Sequence, residues 1–206
     1  MKYAEYIEFP NWKNFRDKII EFRNKDLNEN QDWEETGRHI WWCYFPEEVE
    51  RNIPGLIDAF ASIGLTMKQM ILFNNLPNDI NVKDHNDPKS LFIHTDSEDD
   101  PESPHDGHKG VVTDFSPTHA LNIPLINCEG SMTLFYERLN DNPGVYFVNP
   151  GCGGDAHEDV REVSRFELRS PAVLRINVPH AVWNPHNEDR VVATFRFDES
   201  LEKFLQ

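Results

Sequence analysis

Cysteine is scarce in this chain. Cys43, Cys128 and Cys152 are the three present, and no CxxC pair occurs. An odd count at no framework spacing argues against a disulfide scaffold and reads as reduced thiols in a cytoplasmic protein. Positive charge is also short. Lys and Arg number 20 against 36 Asp and Glu, a formal charge of −16. Such a surface repels phosphate, which argues against a nucleic-acid partner and an anionic membrane. No run approaches the ~20 apolar residues of a membrane span. The first residues, Met1-Lys-Tyr-Ala-Glu-Tyr-Ile-Glu, carry charge throughout and lack the apolar core of a secretory signal. No repeat or low-complexity tract stands out.

What is present suits one domain over all 206 residues, with 38% hydrophobic residues, 14 Phe and 5 Trp. Phe15, Ile19 and Phe22 recur at helical spacing and predict a helix over Trp12 to Lys25. Asp26 to Arg38 is polar and reads as irregular. His39 to Phe45 is aromatic and strand-like, with Trp41 and Trp42 expected in the core. A helix pair is expected from Glu47 to Ile63, broken before Pro54 and closed by Gly64. Lys68 to Asn74 reads as a strand. The segments Ala120–Ile126, Met132–Glu137, Val145–Val148, Val163–Leu168, Ala172–Val178, Ala181–Asn184 and Arg190–Phe197 follow as short strands, with Asn127 to Gly130 as a turn. A short acidic tail closes the chain as a helical turn. Helices first and strands afterwards make the class mainly β, or α+β. Residues 1–66 form a helical support, 67–198 the core and 199–206 the tail.

The chemistry concentrates at Leu91-Phe-Ile-His-Thr-Asp96. Ser90 to Ile93 reads as a short buried strand, with His94 and Asp96 on one face at its end. His180 follows far downstream, after Pro179, which has no N–H and restricts Val178 to an extended conformation. Two imidazoles and one carboxylate are the facial ligand set of non-haem Fe(II) oxygenases. Beyond them lies Arg190. On its strand, Arg190, Val192, Thr194 and Arg196 share one face, and Val191, Ala193, Phe195 and Phe197 share the other. The second face reads as core and the first as a polar pocket lining. A buried guanidinium there needs an anion.

Ser97 to His108 is acidic and proline-rich, a loop placed to cover the site. Its His105-Asp-Gly-His108 is a rival ligand source on a poor platform. His85, His119 and His157 read as solvated loop residues, and His186 as exposed in a hairpin turn. The Gly151 to Gly154 cluster reads as a turn, since no helix start with Lys follows it.

The order His94-x-Asp96, His180, Arg190 resembles the Fe(II)/2-oxoglutarate-dependent dioxygenases. So do the segments Ala120–Glu129, Met132–Tyr136 and Pro179–Asn184, which are similar to short members encoded by phages and marine microbes. The resemblance covers roughly Met67 to Phe197. It implies a double-stranded β-helix (jelly-roll, cupin-like) core behind N-terminal helices, with Fe(II) on His94, Asp96 and His180. It further implies 2-oxoglutarate with its far carboxylate on Arg190, O2 as oxidant, and hydroxylation of a C–H bond. Thr194 and Arg196 would add a hydroxyl and a second cation. Asn122 and Tyr136 come from strands expected to line the same pocket. The Arg190/Thr194/Arg196 face is also similar to the last strand of nucleic-acid demethylases, a substrate that the charge disfavours. The acidic surroundings point to a neutral or cationic substrate. Two alternatives stay open: a cupin-like metal enzyme without 2-oxoglutarate, and a jelly-roll binding or structural protein.

Overall fold

The computed structural model describes residues 1–29, 39–83, 89–96, 118–140, 145–149 and 152–206. The acidic stretch 97–108 with His105 and His108, residues 30–38, His85 and Gly151 lie outside them, as do the side chains of Trp41 and Cys152.

The chain opens with β1 (Ala4–Tyr6) and α1 (Trp12–Glu29), then β2 (His39–Tyr44), α2 (Pro46–Asn52), α3 (Leu56–Ser62) and β3 (Met67–Asn75). Helix α1 runs four residues past the expected Lys25. The Tyr44 hydroxyl donates to Asp26 at 2.6 Å, which ties that polar turn to β2. Pro46 starts α2, where the missing N–H costs nothing. Gly64 has φ +75°, and the Leu65 N–H reaches back to the Phe60 carbonyl, so the glycine closes α3 as expected. Strand β1 was not foreseen, because its charges mask it; it pairs with a sheet edge.

The remaining strands are β4 (His119–Ile126), β5 (Met132–Arg138), β6 (Val145–Asn149), β7 (Cys152–Asp155), β8 (Val160–Glu167), β9 (Ala172–Arg175), β10 (His180–Trp183) and β11 (Arg190–Phe197). A 3-10 turn, Glu202–Leu205, ends the chain. One sheet has the order β1-β9-β4-β11-β3-β2, a second β10-β5-β8, and β6-β7 stands as a hairpin. The glycine cluster therefore enters β7 rather than a turn.

The expected strand at Ser90–Ile93 does not form. His94 makes an isolated antiparallel bridge to His180, and nothing more of a ladder. The reason is where its carbonyls go. Leu91 O meets the His157 ring, Phe92 O meets the ring of His94 itself, and Ile93 O accepts from Asp155 N–H. Counted as a reduced strand, the His94 segment completes the winding. In chain order β3, His94, β4, β5, β8, β9, β10 and β11 cross between the sheets so that β3-β11-β4-β9 face His94-β10-β5-β8. This is a jelly roll, a double-stranded β-helix behind N-terminal helices.

Three buried clusters follow. Ile19, Val49, Leu56 and Phe60 from the helices pack on Leu121, Ile123, Val191, Ala193, Phe195 and Phe197. Each buried side chain of this size contributes about 1.5–3 kcal/mol. Between the sheets lie Ala120, Phe135, Leu168, Ala172, Leu174 and Val192. Leu91 and Ile93 cover the back of the small sheet against Leu134, Tyr136 and Ala181.

Candidate metal centre

His94, Asp96 and His180 come together. One ligand atom from each lies within 4.8 Å of the others. Asp96 Oδ1 stands 3.3 Å from His94 Nε2 and 3.7 Å from His180 Nε2. The backbone sets this geometry. His94 N–H donates to His180 O at 2.9 Å, and His180 N–H to His94 O at 2.8 Å, so the two residues exchange both bonds. Asp96 N–H donates to Ile176 O, just past β9, which stops at Arg175 and gives way to a bend at 177–178 rather than running on to Val178.

Each imidazole is aimed in the same way. His94 Nδ1 lies 3.1 Å from Phe92 O, and His180 Nδ1 lies 2.9 Å from Val178 O. A carbonyl only accepts, so each Nδ1 carries a proton and each Nε2 is left facing Asp96. Asp96 divides its two oxygens. Oδ1 faces the imidazoles, while Oδ2 accepts from Arg196 Nη2 at 2.7 Å.

The electrostatics follow. Burial works to raise the Asp96 pKa, but the hydrogen bond from His94 and the charges of His180 and Arg196 outweigh it. The carboxyl is held well below its ordinary range. Burial works to lower the His94 pKa, but the bond and charge of Asp96 outweigh it and raise it. Burial and the neighbouring His94 push His180 down to about 4. The two rings are centred 4.5 Å apart, so their titrations are coupled. Two imidazole nitrogens and one carboxylate oxygen suit a divalent first-row metal, Fe(II) included.

Beside this cluster runs the inner face of β11, with Arg190, Val192, Thr194 and Arg196 all buried. Arg190 Nη1 donates to Asn75 Oδ1 at 2.7 Å, its Nε has no partner, and no carboxylate among the described residues pairs with it. Burial pushes its guanidinium pKa down, against the opposing influence of Cys128. Asn122 stands across from Thr194 in register, and its buried Oδ1 has no partner among the described residues. Arg196 Nη1 is in the same condition. Buried polar atoms of this kind cost free energy unless something completes them. An anion between the sheets would.

Tyr136 is a correction. Side chains alternate along β5, so Leu134 and Tyr136 share one face and Phe135 takes the other. Phe135 enters the cluster between the sheets, and Tyr136 packs behind the small sheet with Leu134 and Ala181. It does not line the pocket. His119 is buried on β4 rather than solvated in a loop. The His157 ring is half-buried on Leu91 O, and the half-buried His186 ring lies 2.7 Å from Glu129 O. Sequence reasoning missed Asp155, Arg138 and Asn75, ordinary polar residues whose partners are distant in the chain. Cys43, half-buried on β2, is pushed by burial to about 12 and is no nucleophile.

No family model and no curated protein matches the chain. Among solved structures it is similar to a Pseudomonas putida prolyl-4-hydroxylase, at 14% identity and a TM-score of 0.45, over 96% of this chain and 92% of that one. It is also similar to SnoK, a non-heme alpha ketoglutarate dependent carbocyclase from nogalamycin biosynthesis, at 13% identity and a TM-score of 0.48, over 96% of this chain and 80% of the other.

Proposed function

We propose that this chain is an Fe(II)- and 2-oxoglutarate-dependent dioxygenase that hydroxylates a C–H bond of a neutral or cationic substrate in the cytoplasm. The observation that carries the reading is the convergence of His94, Asp96 and His180, with both Nε2 atoms turned to one carboxylate. A second observation supports the cosubstrate: Arg190 is a buried cation without a carboxylate partner among the described residues, on the same inner face as Arg196, which bonds Asp96. Among the described residues no helix is long and apolar enough to cross a membrane.

In this reading His94, His180 and Asp96 Oδ1 hold the metal. Iron, when bound, supplies C–H oxidation by O2 coupled to decarboxylation of 2-oxoglutarate. Arg196 keeps Asp96 ionised and leaves it one free oxygen. Arg190 grips the far carboxylate of the cosubstrate, for which its planar fork is suited. Thr194 and Asn122 stand on adjacent strands and complete that grip. The apolar walls, Val192 and Phe135, keep water from the charged groups.

The test is anaerobic. Fe(II) and then 2-oxoglutarate are added to the metal-free protein, and the visible charge-transfer band of the chelate is recorded. The band is expected. Arg190→Ala is expected to weaken cosubstrate binding by about 2–5 kcal/mol and to leave metal uptake largely intact. Metal uptake without the band favours a cupin-like enzyme that does not use 2-oxoglutarate. No uptake of any metal favours a binding or structural jelly roll.

A further inference from the structure

The segment carrying His94 and Asp96 has no ladder of its own, so something else must fix it. Ile93 O accepts from Asp155 N–H at 2.8 Å, and Leu91 O lies 3.1 Å from His157 Nε2. Both donors come from the end of β7 and the 3-10 turn His157–Asp159 after it. Asp155 is itself held. Its carboxylate is 2% exposed at the residue level and accepts from Arg138 Nε at 3.0 Å and Nη2 at 3.3 Å. Leu139 N–H donates to Asp159 O, which locks the same turn to the end of β5.

Arg138 ends β5, and β5 is the strand on which β10 lies, with His180 opposite Phe135. Both halves of the centre therefore hang from β5. His180 does so through the β10 ladder. His94 and Asp96 do so through Arg138, Asp155, His157 and the carbonyls of residues 91 and 93. An ion pair at a half-exposed Arg is of small value for stability by itself. Here its acid is buried and its main chain grips the residue next to a metal ligand.

Resting on the metal-centre reading, we infer that Arg138, Asp155 and His157 are positioning residues that set the approach of the His94/Asp96 pair to the metal. They touch neither metal nor substrate and act through the backbone of Leu91 to Ile93. Contacts behind ligating residues commonly change metal affinity 10- to 100-fold.

The experiment uses the full chain, stripped of metal and titrated with Co(II) alone, whose visible spectrum reports ligand geometry. Wild type is expected to bind Co(II) with one defined spectrum. His157→Ala is expected to weaken binding roughly tenfold or more and to change the spectrum even at saturating Co(II). His157→Gln, which keeps an N–H donor, is expected to restore both. Arg138→Gln, at a half-exposed site that tolerates change, is expected to shift the spectrum in the same sense. If His157→Ala fails to fold, Arg138→Gln and His157→Gln decide alone. Variants that melt lower but give the wild-type spectrum at saturation overturn the inference and leave a structural role only. A wild type that takes up no Co(II) overturns the metal-centre reading instead.

Discussion

Strand β11 has two faces, and both are buried along its whole length. One carries Val191, Ala193, Phe195 and Phe197 against the helices. The other carries Arg190, Val192, Thr194 and Arg196 toward the small sheet. The helix-side face is apolar throughout. Phe195 and Phe197 pack on Phe60 with ring centres 4.8 and 4.9 Å apart. The inner face is buried but incomplete: among the described residues Arg190 Nε and Arg196 Nη1 find no partner. Burial alone does not separate core from site. The separation comes from whether the buried groups satisfy one another.

The comparison can be broken most sharply from the apolar side. Phe195→Ala is expected to lose about 3–5 kcal/mol of unfolding free energy, measured by denaturant melts. Its metal spectrum below the transition should stay as in wild type. On the inner face the same kind of truncation should act on ligand rather than fold. Arg190→Met, measured without ligand, is expected to be neutral or stabilising, because an unpaired buried cation is exchanged for an apolar chain of similar length. A loss above about 2 kcal/mol would show that Asn75 and the strand depend on the guanidinium.

Acidity tests the metal side. The metal takes neutral imidazoles, and His94 in the free protein keeps its proton to a pH above the ordinary imidazole value. Affinity should therefore fall as pH drops through the raised His94 value, by about tenfold per unit while one proton competes. The slope should steepen only near pH 4, where His180 also takes a proton. A Co(II) titration series across pH reads this. The smallest expected effect on ligand binding is Thr194→Val, which removes one hydroxyl donor from the inner face and should weaken 2-oxoglutarate by about 1–2 kcal/mol with unchanged melting.

Much of the site was legible, for a local reason. His94 and Asp96 are two residues apart, and the alternation of Arg190, Thr194 and Arg196 follows from the period of an extended chain. The expected faces of β11 are those observed. Tyr136 was illegible by the same rule. Alternation places it with Leu134 and opposite Phe135, but which of those faces turns inward is decided by packing, and no residue type announces it. His119 and His157 were misread because an isolated histidine carries no pattern that tells burial from solvent.

Covalent geometry and side-chain type are properties of the chain itself, so the sequence alone determined which residues alternate, where helices α2 and α3 break, and which groups could ligate. Three-dimensional packing decided the rest. It left the His94 segment without a ladder, because distant donors at Asp155 and His157 take its carbonyls. It also gave Asp96 its second partner in Arg196 and left Arg190 without a carboxylate among the described residues. Such pairings join residues far apart in the chain, and only the folded sheets bring them within hydrogen-bond reach.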